Sequence, residues 1–241
     1  MKKSMKTIPA LAAILYFAAA AGEPPVISWD LDKIENGKTA ASAGPYKAEI
    51  IGSEHVAAVP GKIGQAVHIG GKLKGHQAGA LTVRNFKFDF AKPFTAEMLV
   101  RFDRGVSSRQ RREIFSLADT EHGPGVRFAL AYGRLDLSTG DGQKTVSVKT
   151  DSNVLRITPD EWHLLSVTYD GQKVSLYFDG VPAGEKTMSV LPARKTRSLS
   201  LGSYKNGLAY PLLGALDEFR IYDFCLTPGQ AAERYIEIFG E

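Results

Sequence analysis

A single cysteine, Cys225, in 241 residues rules out a disulfide within the chain. A domain of this size buries enough apolar surface to do without one. Lying between Phe224 and Leu226, Cys225 reads as a small buried hydrophobe, with no neighbouring base to activate its thiol. Charge of one sign is also lacking. Thirty basic and 26 acidic residues leave a formal net charge of +4, which supplies no concentrated basic face and argues against a nucleic-acid partner. The five histidines, His55, His68, His76, His122 and His163, show no close ligand spacing, so no zinc motif appears. No serine sits in a Gly-x-Ser-x-Gly elbow, and no glycine-rich phosphate loop is present; "GDG" at residues 140–142 reads as a turn.

Beyond the first 22 residues there is no long apolar run. Those residues combine a basic start, "MKKSMK", an apolar segment, "IPALAAILYFAAAA", and small residues fit for cleavage after Ala21 or Gly22. The segment is short and alanine-rich for a membrane span, so residues 1–22 are expected to be a secretory signal peptide, the alternative being an uncleaved N-terminal anchor. No cysteine stands there to carry a lipid. Removing its three lysines brings the net charge to about +1. The expectation is an exported protein, periplasmic or extracellular, with no membrane contact after signal removal and one domain over residues 23–241.

What the sequence has in quantity is short alternating segments broken by turn residues. Residues 162–182 read "WHLLSVTYDGQKVSLYFDGVP". Leu165, Val167 and Tyr169 alternate with Leu164, Ser166 and Thr168, and Val174, Leu176 and Phe178 resume the alternation, a strand's period of two. Asp170-Gly171 and Asp179-Gly180 mark reversals, since glycine tolerates positive φ and aspartate bonds its own turn; Gln172 lengthens the first connection. "FTAEMLVRF", "RREIFSLAD", "VRFALAYGRLDLST" and "SLSLGSY" repeat the grammar. Many short strands with no helices alternating between them predict an antiparallel β-sandwich or barrel. One short helix is expected at the C-terminus, in "TPGQAAERYIEIFG". There Thr227 is a fit N-cap, Pro228 suits the first position, Gln230 completes a capping box and Gly240 is the terminator.

These segments, in this order, resemble the LamG-like jelly-roll domains of the concanavalin A-like lectin/glucanase superfamily of bacterial exported proteins. The resemblance rests on "ISWDLD" at 27–32, "PGKIGQAVHIGG" at 60–71, "FTAEMLVRF" at 94–102, "EWHLLSVTYDGQKVSLYFDGV" at 161–181, "LSLGS" at 199–203 and "GALDEFRIYDFCLTPGQ" at 214–230. It covers nearly all of residues 23–241. Two positions depart from the family pattern. Leu99 stands where tryptophan is frequent, and "AASAGP" at 40–45 replaces an Asp-Ser-x-Gly segment, removing a carboxylate. The resemblance implies an all-β jelly-roll sandwich that binds carbohydrate or serves in adhesion or structure. A polysaccharide hydrolase or lyase on the same scaffold, and a protein-binding scaffold module, are the alternatives.

Asp217 is the residue that stands out. Alternation along "GALDEFRIYD" places it with Phe219 and Ile221, and Glu218, Arg220 and Tyr222 on the other face. An inward carboxylate must be paired, hydrogen-bonded or metal-bound. Its plain role is to accept backbone N–H bonds. The resemblance implies instead a structural calcium ion, for which Asp32 becomes the partner if the first and last strands lie side by side. No Glu-x-Asp-x-x-Glu strand of the glucanase type is present, and Asp119 with Glu121, or Asp160 with Glu161, read as loop and turn chemistry, so no catalytic residue is assigned. Arg101, Arg104, Arg109, Arg111 and Arg112 form one basic cluster and Arg194, Lys195 and Arg197 another. They read as solvated loops, or, if they share a rim, as a surface for an anionic polysaccharide. Tyr132, Tyr204 and Tyr210 are candidates for stacking on sugar rings, without assignment to a site.

Overall fold

A computed structural model describes residues 23–72, 78–106, 110–118, 125–151, 157–189 and 197–240. The leader segment, His76, His122, Asp119, Glu121, Arg109, Arg194 and Lys195 lie outside them. In chain order the strands are β1 (Ile27–Trp29), β2 (Lys38–Ala40), β3 (Lys47–Ile51), β4 (Val56–Pro60), β5 (Gln65–Ile69) and β6 (Ala80–Phe86). There follow β7 (Phe94–Phe102), β8 (Arg112–Ala118), β9 (Gly125–Ala131), β10 (Arg134–Gly140) and β11 (Thr145–Lys149). The last are β12 (Trp162–Tyr169), β13 (Lys173–Phe178), β14 (Val181–Thr187), β15 (Arg197–Leu201) and β16 (Gly214–Tyr222), and helix α1 (Pro228–Phe239) closes the chain.

Two eight-stranded antiparallel sheets form. One runs β14-β13-β12-β7-β16-β5-β4, with β1 on β16; the other runs β11-β10-β9-β8-β15-β6-β3-β2. The alternating residues of their inner faces make one core. Trp29, Phe115 and Phe219 meet at its centre, with Phe219 at 6.1 Å from Trp29 and 5.8 Å from Phe115, ring to ring. This is the sandwich that the period of two and the absence of interleaved helices predict.

The hairpins follow the turn residues. Asp179 and Gly180 both take positive φ, +52° and +75°, so a two-residue turn returns the chain as β14. Gly180 has a second reason to be glycine, because a Cβ there would stand 2.8 Å from Tyr235 Cβ on α1. The Asp179 carboxylate accepts from Leu164 N–H (2.9 Å) and binds His163 Nδ1 (2.8 Å), while His163 Nε2 accepts from Thr158 N–H (3.3 Å). His163 is therefore a buried structural residue whose two ring nitrogens are both used. The first connection, Asp170 to Gln172, is longer by one residue, and Asp170 Oδ1 accepts from Gln172 and Lys173 N–H.

Helix α1 begins as its sequence dictates, with both halves of the Thr227–Gln230 capping box made and Pro228 in the first turn. Gly240 ends it at φ −68°, without the left-handed cap. Ala231 is buried, and Tyr235 and Ile238 are half-buried. Arg234 pins the helix to the outer face of the first sheet. It approaches the buried Glu97 at 3.6 Å and donates to the Tyr222 hydroxyl.

The first and last strands do lie edge to edge. Ile27 pairs with Ile221 and Trp29 with Phe219, while Gly214 to Leu216 pair with β5 on the same edge of β16. One expectation is corrected between these two pairings. Asp217 does not share a face with Phe219. Against β7, Asp217 pairs with Leu99 but Arg220 pairs with Glu97, so β16 carries one extra residue, and Glu218 takes φ +52°. This bulge resets the alternation. Leu216, Phe219 and Ile221 enter the core, whereas Asp217 falls on the outer side with Leu99.

Candidate functional site

Asp217 is buried with 0% exposure although it faces away from the core. The β4–β5 turn covers it. Asp217 Oδ2 accepts from Lys62 N–H (2.9 Å) and Ile63 N–H (3.0 Å), and Asp32 Oδ1 accepts from Gln65 N–H (2.6 Å) in the same turn. The plain expectation, a carboxylate bonded to backbone, is thus realised, and both residues singled out in the sequence converge on "PGKIGQ". The glycines explain how. A Cβ on Gly61 would sit 2.7 Å from Asp217 Oδ2, 2.7 Å from the Ile63 carbonyl oxygen and 2.8 Å from that of Gln65. One on Gly64 would sit 2.2 Å from Asp32 Oδ1. Only glycine leaves that space.

Asp217 Oδ1 is buried and has no hydrogen-bond partner among the described residues. Burial, with the charges of Glu218 and Asp32 beside it, lifts the Asp217 carboxyl to about 7 against the two backbone bonds that hold it down. Glu218 is raised too, by burial, although Arg220 Nη2 donates to it at 2.6 Å. An orphaned carboxylate oxygen, an adjacent acid and converging backbone carbonyls are the donor set of a hard cation. Among the described residues no group of three or more His, Cys, Asp or Glu side chains is gathered for a metal, so the remaining ligands would be carbonyls and water.

A second polar assembly lies on the outer face of the other sheet. Glu113, fully buried, accepts from Arg127 Nε (2.8 Å) and Nη2 (3.1 Å) and from Arg111 Nε (2.9 Å). Arg111 also reaches Asp136 at 3.5 Å, and Lys149 approaches Asp136 at 3.8 Å. The Arg127 guanidinium stacks 4.1 Å from the Tyr204 ring centroid, and Tyr210 lies 6.2 Å from Tyr204. Burial pulls the Arg127 guanidinium down, but the Glu113 carboxylate outweighs it and holds the proton more tightly. Sequence reading missed this lattice. Its signal was a charge between apolar neighbours in "VRF" and "LDL". The solvated-loop reading holds for Arg104, which is 85% exposed and paired with Asp160, but not for Arg111 or Arg112. Arg112 begins β8 and is buried opposite Leu130, while Arg111, just before the strand, turns to Glu113 and Asp136 on the outer face.

At one end of the sandwich a cavity of about 220 Å³ opens between the β7–β8 connection and the β9–β10 turn. Phe102, Asp103, Val106, Leu130, Gly133 and Ile157 line it, and His68 Nε2 holds Asp103 Oδ2 at 2.9 Å. In the β9–β10 turn Tyr132, 76% exposed, and Gly133 take φ +54° and +76°, the two-residue hairpin geometry. A larger open groove of about 770 Å³ runs along β13 and β14 to the start of α1, with Lys173, Tyr177, Glu185 and Cys225 in its walls. Burial raises the Cys225 thiol, which disfavours its thiolate.

Two stacked antiparallel sheets with edge-paired ends define a jelly-roll β-sandwich. The family model Laminin_G_3, of the concanavalin A-like lectin/glucanases superfamily, matches residues 74–232, and the chain belongs to that family. Solved structures with the same fold include domain 4 of AbnA, an extracellular arabinanase from Geobacillus stearothermophilus, in complex with arabinotriose. It shows 20% identity over 87% of this chain and 97% of that one, with a TM-score of 0.65. The binding domain of Paraclostridial Mosquitocidal Protein 1 shows 16% identity over 90% of this chain and 55% of its own, at a TM-score of 0.67. The binding domain of Botulinum neurotoxin DC, solved with rat synaptotagmin II, shows 11% identity over 89% and 51%, at 0.69. The chain thus spans about half the length of the toxin domains. No curated protein matches it by sequence.

Proposed function

We propose that this chain is an exported, non-catalytic β-sandwich module that binds carbohydrate. The observation that carries this reading is its likeness to a domain of similar extent, that of the arabinanase solved with arabinotriose. Fold alone does not fix function, and the described carboxylates add support. Glu97, Glu113, Asp136 and Asp217, the most buried acids, are committed to ion pairs or backbone bonds rather than set across a cleft as a hydrolytic pair. Export rests on the basic, apolar and small-residue order of residues 1–22.

A glycan array on residues 23–241, read with and without calcium, tests the proposal. The expected outcome is binding with no oligosaccharide released from polysaccharide. Release of product would replace the module by a hydrolase or lyase, and silence across the array would favour a protein-binding scaffold. N-terminal sequencing of protein recovered outside the cytoplasm is expected to begin at Gly22 or Glu23.

Calcium belongs to the same proposal as a structural ion. Asp217 and Asp32 hold it, with carbonyls of the β4–β5 turn, and it ties β16 to that turn. Calcium is expected to raise the melting temperature of chelator-treated protein. An unchanged melting temperature, with no metal in the purified protein, would remove the ion from the account.

A further inference from the structure

The groove along β13 and β14 has a wall of neutral hydroxyls. Thr168, Ser175 and Tyr177 line it, and they alternate with the core residues Val167, Val174 and Leu176, so they stand on the outer face of the first sheet. The Tyr177 hydroxyl bonds Thr168 and Ser175, and the Cys225 thiol bonds Thr168. Burial raises both the Tyr177 hydroxyl and the Cys225 thiol, so each keeps its proton and this wall carries no charge.

The charges on the rim are matched within the fold. Lys173 Nζ binds Glu185 at 2.8 Å, Asp170 accepts from the Gln172 and Lys173 N–H groups, and Lys149 lies 3.8 Å from Asp136. Nor is the start of α1 open to an anion. Thr227 Oγ1 accepts from Gln230 N–H, the Gln230 side chain accepts from Thr227 N–H, and Pro228 has no N–H to offer. A peptide is excluded on other grounds. β14 is an edge strand, but Asp151 N–H already donates to the Ala183 carbonyl (2.9 Å), Pro182 lacks an N–H, and a Cβ on Gly184 would stand 2.6 Å from the Lys149 carbonyl oxygen. That margin offers an added strand no row of backbone partners.

We propose that this groove is the glycan site and that it takes an uncharged oligosaccharide. The proposal rests on the carbohydrate-binding reading and adds to it a place and a substrate class. Sugar hydroxyls both donate and accept, as do the hydroxyls of Thr168, Ser175 and Tyr177. An acidic sugar would meet Asp151, Asp170 and Glu185 with no free cation to offset them. Length follows from volume. A cavity of about 150 Å³ holds one six-membered ring, so a groove of about 770 Å³ has room for a short chain of sugars.

The chain's single cysteine lines the groove and supplies the test. Residues 23–241 are titrated with arabino-, xylo- and cello-oligosaccharides of one to six units, and with oligogalacturonides as the charged control. At least one neutral series is expected to bind, ten-fold or more tightly as a trimer than as a monosaccharide, with an affinity indifferent to salt. At saturation it should slow alkylation of Cys225 by N-ethylmaleimide five-fold or more. Ser175→Trp, at a half-buried strand position, should fill the groove and weaken binding at least ten-fold while the melting temperature holds. Alkylation needs no variant, so the proposal stays testable should Ser175→Trp fail to fold. A neutral oligosaccharide that binds while Cys225 reacts at its free rate would place the site elsewhere and overturn the proposal, leaving the carbohydrate reading intact. Binding confined to oligogalacturonides and weakened by salt would overturn it in the same way. No binding of any glycan, here or on the array, would end both.

Discussion

Replacing Arg234 by alanine is expected to cost about 3–5 kcal/mol, the usual penalty for breaking a buried ion pair by removing one partner. Glu97 is 2% exposed in the middle of the first sheet's outer face. Burial raises its carboxyl, and Arg234 is the foremost charge opposing that rise, ahead of Tyr222, Arg220 and Ser166. Without Arg234 the carboxylate stays sealed beneath α1 with weak donors only. The Tyr222 hydroxyl, itself pushed up to about 12 by burial and by Glu97, loses the guanidinium that donates to it. In thermal melts the drop should be about 10 °C for a domain of this size. The double variant Glu97→Gln/Arg234→Ala should recover a large part of the loss, because it removes the uncompensated charge along with its partner. Two single variants and a double that simply add would show that the pair does not act as a unit.

The second large effect is in the pH dependence of Asp217. Its carboxyl moves from 3.8 in the unfolded chain to about 7 in the folded one, with no cation bound. The folded state therefore holds the proton more tightly. That stability is fully present below about pH 4 and is lost as pH rises through about 7, on the order of 4 kcal/mol in all. In chelator, the parent should lose stability across this window more steeply than Asp217→Asn, whose amide oxygen still accepts from the β4–β5 turn but carries no charge. Glu218 titrates in the same direction, so the difference between the two profiles is the quantity to read. With calcium present the parent's decline should flatten, since the ion takes the role of the proton and competes better as pH rises. Parallel denaturation curves for the two proteins from pH 4 to pH 8, in chelator, would contradict the orphaned-carboxylate account.

Much of the architecture was readable from residue order. Asp179-Gly180, the Thr227–Gln230 box and the period of two in β12 and β13 each impose a local geometry that the long-range fold does not override. Asp217 and Asp32 could be brought together in advance because one sits on the last strand and the other just beyond the first. What alternation could not give was the true face of Asp217. A bulge is one extra residue, decided by how β16 fits both β7 and the gap between β1 and β5, and no residue in "LDEF" announces it. Arg111 and Arg112 were misread for a related reason. A run of arginines looks like a solvated loop until its contacts are known: Leu130 across the strand from Arg112, and the Glu113 and Asp136 carboxylates that Arg111 reaches. The lattice around Arg127 depends on residues from four segments that nothing local connects.

The register that joins Ile27 to Ile221 has a kinetic consequence. Strand β1 finds its partner only after every strand between it and β16 has been made. Until then β1, and the β4–β5 turn that will cover Asp217, have nothing to close against. Contacts this remote in sequence make for slow maturation. A nascent molecule would carry an open sheet margin for as long as its synthesis lasts, and its protection by chaperones during that interval becomes part of what the sequence requires.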